Sequence, residues 1–162
     1  MQAIEHRTKI LFVCTGNTCR SVLAEGYMVK FCKEANIDWV EVKSCGTAAM
    51  PTYKIPVVVL GLLKEEGVDI SSHIPTPINK LLVNGSDIIL VMENTHKQEI
   101  LRRYPECDSK VFLLKEFAGE KEKLDIYDPI GQPEEVYIER AKEIKKCVKK
   151  VFNKLVKNRS EK

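Results

Sequence analysis

Aromatic side chains make up only 7% of the 162 residues, with one tryptophan and three histidines. No apolar run approaches the roughly 20 residues that a bilayer-spanning helix needs, so a helical membrane protein is excluded. Charge of one sign is also lacking. The 26 basic and 23 acidic side chains leave +3, which gives no electrostatic reason to expect nucleic acid or an anionic membrane as partner. Among the six cysteines, at 14, 19, 32, 45, 107 and 147, there is no C-x2-C pair and no matching histidine pair, so a structural zinc site has no ligand set. Residues 1–9 are polar and lack the apolar stretch of a secretory signal. The expected protein is therefore cytoplasmic, with reduced thiols and no metal or other cofactor.

What is present is a chain with 44% hydrophobic residues, long enough for one domain with one core and crowded for two. A single domain over residues 1–162 is expected, with its core at about 9–155. Residues 9–13 (KILFV) read as a short buried strand that stops at a polar loop. From Ser21 the pattern turns helical, with Leu23, Tyr27, Met28, Phe31 and Cys32 at spacings of three and four. Residues 40–45 and 110–114 read as further strands, and 87–92 (DIILVM) as a strand covered on both faces. Helices are expected over 56–66, where Gly67 would cap the C-terminus, over 95–104, and from about Pro133 to Leu155. Residues 157–162 read as a frayed tail. Strands alternating with helices predict an α/β fold on a parallel sheet, with ligand sites beyond the carboxyl ends of the strands.

The loop between the first strand and the first helix reads Cys14-Thr15-Gly16-Asn17-Thr18-Cys19-Arg20-Ser21, a C-x5-R-S pattern. Backbone N–H groups of such a loop, at a helix N-terminus, converge on a phosphate-sized anion. Gly16 permits the tight path. The same positive field favours the Cys14 thiolate, the nucleophilic form, and Arg20 offers a planar fork for two phosphoryl oxygens. Ser21 can donate to the thiolate. No G-x4-G-K-[ST] sequence occurs, so this is not a nucleotide-binding Walker loop. Displacing phosphate with a cysteine needs an acid for the leaving group that then serves as base for water. Asp128, stiffened by Pro129, and Asp125 compete for that role on the loop after the fourth strand.

Taken with Lys43-Ser-Cys-Gly-Thr47, Ser72-His-Ile74 and Asp128-Pro129, the loop resembles the low-molecular-weight protein tyrosine phosphatase family, over about residues 9–155. The resemblance implies a four-stranded parallel sheet of order 2-1-3-4 with helices on both faces. It implies a phosphocysteine on Cys14, phosphate binding by Arg20 and the loop residues Thr15 to Ser21, and Asp128 as general acid and then base. Asn17, Ser44 and His73 would hold the loop in shape, and Cys19 would pair reversibly with the nucleophile. The implied partner is phosphorylated protein, handled by a monomer.

Four places depart from the pattern. The family commonly has an aromatic residue after the second strand and aromatics after Asp-Pro, where this chain has Ala48-Ala49-Met50 and Ile130-Gly131. Val22 replaces a first-turn proline. Thr18 stands where tyrosine-specific members usually carry isoleucine, and here the loop resembles that of the bacterial protein-arginine phosphatase branch. A smaller, more polar rim suits a planar guanidinium, so phosphoarginine is favoured over phosphotyrosine. A thiol-dependent arsenate reductase would need a close cysteine pair downstream, and a phosphocysteine carrier would dispense with Arg20 and Asp128. Of the remaining residues, His73 is expected to be structural, and His6 and His96 solvated. Cys32 and Cys147 are expected in the core, and Cys107 in a polar turn. Tyr53 and Trp39 are candidates for the site rim, with core packing an equal reading for Trp39.

Overall fold

The first strand, β1 (Thr8–Cys14), sits between two parallel neighbours. These are β2 (Val40–Gly46) and β3 (Ile88–Val91), and β4 (Val111–Leu113) extends the sheet beyond β3 to give the order β2-β1-β3-β4. This is the α/β class and strand order expected above. The computed structural model describes residues 6–161, so the first five residues, part of the polar stretch read as lacking a leader, lie outside them.

Burial on both faces explains the unbroken apolar run of β1. Ile10, Phe12 and Cys14 point into one core, and Leu11 and Val13 into the other, the two-residue period of a strand. The first core is closed by α1 (Arg20–Glu34), α2 (Val57–Glu65) and α6 (Glu134–Ser160), through residues such as Leu23, Leu63 and Val148. The second is closed by α3 (Lys80–Gly85) and α4 (Asn94–Arg103), through Val83 and Ile100. Two helices were not expected, α3 and α5 (Leu114–Phe117). Both are too short to show a helical period, and α3 is announced only by Asn79, whose side chain accepts from Leu82 N at its N-terminus. Gly67 follows α2 with φ +77°, in keeping with a glycine stop.

Several expectations are corrected. Residues up to Ser160 are helical rather than frayed. The guanidinium of Arg159 stacks 4.3 Å from the Trp39 ring, which ties the last turn of α6 to the core and places Trp39 in packing rather than at a rim. Cys107 is buried, in a 3-10 turn at Pro105–Lys110, with its thiol donating to Tyr104 O at 2.9 Å. His96 is not solvated but only 3% exposed. It shares a reciprocal cap with Glu93 at the start of α4, where the Glu93 carboxylate accepts from His96 N–H and His96 Nδ1 accepts from Glu93 N–H at 3.0 Å. Sequence reading missed this because an imidazole in the third helical position does not match the Glu or Gln that normally marks such a cap. His6, by contrast, is exposed, beside Asp87.

A Cβ built on Gly46, the last residue of β2, would lie 2.3 Å from the Thr15 carbonyl oxygen. Gly46 cannot retreat, since its N–H donates to Thr76 O and its carbonyl accepts from Ile78 N. Gly46→Ala is expected to lose about 1–3 kcal/mol of stability in urea denaturation and to shift the amide resonances of residues 14–21. Burial, with the Arg20 charge second, pushes the His96 pKa from 6.5 down to about 4. Between those values the unfolded chain binds more protons than the folded one, so this residue's contribution to stability is full above pH 6.5 and is lost as pH falls toward 4. His96→Gln should flatten that acid limb in denaturation curves recorded across the interval.

Candidate active site

The loop from Cys14 to Arg20 is shaped by where its carbonyls are tied. Cys14 O and Thr15 O accept from Thr47 N and Ala48 N, both at 2.9 Å, and Cys19 O accepts from Leu23 N at 2.8 Å. Asn17 O faces His73 Nε2 at 3.1 Å. In a planar trans peptide the N–H points opposite its carbonyl. Pinning these four carbonyls outward therefore turns the N–H groups of Thr15, Gly16, Thr18 and Arg20 inward, toward one point at the N-terminus of α1. No side chain caps that terminus, and the site is suited to an anion.

Asn17 carries the reversal of direction. It has φ +56° and is fully buried, a strain that asparagine tolerates better than most residues. Its Oδ1 accepts from Thr76 N at 2.9 Å, and its Nδ2 donates to Ser21 Oγ at 2.8 Å and to Ser44 Oγ at 3.0 Å. Ser44 in turn donates to the Glu25 carboxylate. Ser21 Oγ lies 2.9 Å from Cys14 Sγ. Because Ser21 accepts from the asparagine amide, its own proton is free for the sulfur. Glu25 was missed in the sequence, although it lies one helical turn beyond Ser21. Burial raises its pKa, opposed by the Ser44 hydrogen bond and by His73.

Arg20 is 1% exposed, and a buried guanidinium is tolerable only when paired. Its Nη1 donates to Glu93 Oε2 at 2.7 Å and to Ile126 O at 2.8 Å. Its Nη2 donates to Thr15 Oγ1 at 3.4 Å and to Asp128 Oδ2 at 3.3 Å. Glu93 also went unremarked in the sequence, although an acid directly past the carboxyl end of a central strand stands where α/β folds build their sites.

Of the two competing aspartates, Asp125 is engaged elsewhere, its Oδ1 accepting from Asn94 N at 2.8 Å at the start of α4. Asp128 is at the loop, held by the Ile130 N–H on Oδ1 at 3.0 Å and by Arg20 on Oδ2. Among the thiols, Cys19 and Cys45 are buried, and burial, with Cys14 nearby as the second cause, pushes their pKa values up. Both are thereby disfavoured as thiolates. Tyr53 takes one side of the mouth, its Cδ2 within 3.8 Å of a Cβ built on Gly16. Tyr127 and Ile130, flanking Asp128-Pro129, are exposed.

Comparison with known proteins agrees with this geometry. Residues 9–161 match the family model described as low molecular weight phosphotyrosine protein phosphatase. A protein-arginine-phosphatase of Geobacillus stearothermophilus is 35% identical over 147 residues, 91% of this chain and 95% of that protein. A structure of a cysteine-to-serine mutant of the arginine phosphatase YwlE, with its active-site serine phosphorylated, superposes with a TM-score of 0.87 at 30% identity, covering 96% of this chain and 100% of that one. A low molecular weight protein tyrosine phosphatase of T. tengcongensis superposes with a TM-score of 0.84 at 37% identity, covering 91% and 99%. The chain belongs to the low molecular weight phosphotyrosine protein phosphatase family.

Proposed function

We propose that this protein is a cysteine-dependent phosphatase acting on phosphorylated protein, with phosphoarginine as its preferred substrate. The observation that carries the phosphatase reading is the convergence of Cys14, Arg20 and Asp128 on one inward-turned loop. The Cys14 thiolate, with the Ser21 hydroxyl donating to it, attacks phosphorus while Arg20 and the loop N–H groups neutralise the phosphoryl oxygens. The bond from phosphorus to the leaving nitrogen breaks, and the Asp128 carboxyl gives that nitrogen its proton. Asp128, now a carboxylate, takes a proton from the water that attacks the phosphocysteine. The S–P bond breaks, phosphate leaves and the thiolate is restored. In a cysteine-to-serine mutant of the similar arginine phosphatase, the substituted active-site serine carries phosphate, which supports a phosphoenzyme of this kind.

Phosphoarginine is favoured by Thr18, a half-buried polar residue of the loop rim, and by the likeness to the Geobacillus protein-arginine-phosphatase. Phosphotyrosine is the second reading, for which the Tyr53 ring beside Gly16 offers a stacking face. An arsenate reductase relay has less support, since buried Cys107 is occupied with Tyr104. Free, buried thiols at all six cysteines support a cytoplasmic location. No helix of the described residues is long and apolar enough to cross a membrane. One chain supplies the whole constellation, which supports a monomer.

Cys14→Ser should abolish hydrolysis of p-nitrophenyl phosphate, and Asp128→Asn should lower kcat by about 10²–10⁴-fold. Wild-type turnover in Cys14→Ser would remove the cysteine mechanism. On substrate, the ratio of kcat/KM for phosphoarginine over phosphotyrosine peptides should exceed one and fall at least about tenfold in Thr18→Ile, since added methyl contacts in a pocket are worth about 1–3 kcal/mol. A native ratio well below one would leave tyrosine as the substrate.

A further inference from the structure

The buried His96 has no part in the mechanism above, yet its ring reaches the active-site loop. Nε2 lies 2.8 Å from Thr15 Oγ1. The other ring nitrogen, Nδ1, accepts the Glu93 backbone N–H at 3.0 Å. A neutral imidazole whose Nδ1 lone pair is used in this way carries its proton on Nε2, so His96 donates to Thr15. A threonine hydroxyl has two acceptor sites and one proton. One acceptor site takes the His96 Nε2–H, and the other faces the Arg20 Nη2 donor at 3.4 Å. Both neighbours are donors, so the Thr15 proton must go to a different acceptor. Thr15 is exposed at the mouth of the loop, on the same guanidinium nitrogen that Asp128 contacts. A phosphoryl oxygen held by Arg20, as the proposed mechanism requires, would be such an acceptor.

We propose that the Thr15 side chain donates a hydrogen bond to the substrate's phosphoryl group, and that His96 is the positioning residue that sets the direction of that bond. The proposal rests on the phosphatase reading and adds a side-chain donor to the ring of backbone amides. The charged groups facing His96 are Arg20, Asp125, Asp128 and, at 3.9 Å, Glu93. Burial and Arg20 outweigh the acids and keep the imidazole neutral down to about pH 4. The donor direction is therefore constant across the range in which a phosphatase works, and His96 acts as a fixed strut rather than a proton carrier.

Inorganic phosphate is the probe, because its binding to the folded protein can be read by calorimetry without turnover. Thr15→Val keeps the shape at an exposed position and removes the hydroxyl. It should weaken phosphate binding at least about tenfold, as expected for a hydrogen bond to a charged group. Thr15→Ser should recover binding to within about threefold of the native protein. His96→Phe should produce a loss similar to that of Thr15→Val, and the double variant should bind no more than about twofold worse than Thr15→Val alone, because the two residues act through one bond. The Thr15→Val loss should be equal at about pH 5.5 and about pH 8. Native-like phosphate binding in Thr15→Val, or losses that multiply in the double variant, would overturn the proposal. Failure of the phosphatase reading is a separate result, namely no Cys14-dependent turnover by the native protein, and it leaves the phosphate measurements readable.

Discussion

Burying the Arg20 guanidinium is the constraint on which the rest of the site depends. An ionised group at 1% exposure is stable only where every direction it faces offers an acceptor. Four acceptors meet that requirement: Thr15 on the loop itself, Glu93 past the end of β3, and the Ile126 carbonyl and Asp128 on the loop after α5. The strand order does the work of bringing them together. With β1 in the centre and β3 beside it, Glu93 arrives next to the first turn of α1. The Ile126 N–H donates to Met92 O at 2.8 Å, so the segment leading to Asp128 is attached to the end of the same strand. The catalytic aspartate proposed here is therefore placed by backbone hydrogen bonding to β3 as well as by its charge.

A second dependency runs through direction rather than charge. Glu25 can only accept when ionised, which leaves Ser44 as donor to it and as acceptor from Asn17. Both hydrogens of the Asn17 amide are then spent, one on Ser44 and one on Ser21, and the remaining proton of Ser21 faces the Cys14 sulfur. Each hydrogen bond in this chain sets the polarity of the next. The arrangement ends with the Ser21 proton directed at the Cys14 sulfur. His96 and Thr15 repeat the same logic on the opposite side of the loop, starting from a backbone N–H instead of a carboxylate.

Much of this was legible in the sequence, for reasons that differ by element. β1 was readable because a strand covered on both faces must be apolar throughout, and the loop because C-x5-R-S between strand and helix has few other uses. The sheet order came from resemblance, since no local pattern encodes which strand lies beside which. What escaped notice was tertiary. Asp125 and Asp128 look alike in a sequence, and only the Asn94 N–H on one and Arg20 on the other separates them. His96 looks like an exposed polar residue until Glu93 folds over it as a cap. The last turn of α6 is held by Arg159 against Trp39, a contact across 120 positions that no helical period announces.

The low aromatic content of the chain has a more limited meaning once Tyr53 is located. One ring does stand at the mouth, beside Gly16, so the site is not without an aromatic wall. That wall does not by itself favour tyrosine, because a guanidinium is as flat as a phenyl ring and stacks on an aromatic face with an added cation–π attraction. The difference between the two substrates lies in what their edges need. A phenyl edge gains from apolar contact, whereas a guanidinium edge carries N–H donors that must find acceptors when taken out of water. Half-buried Thr18 in the loop and Asp128 on Arg20 bring oxygen to the site, and the chain has Ala48 and Ala49 in place of an aromatic residue after the second strand. On the proposed reading, discrimination would turn on the cost of leaving those donors unpaired, set against the gain from one stacking face.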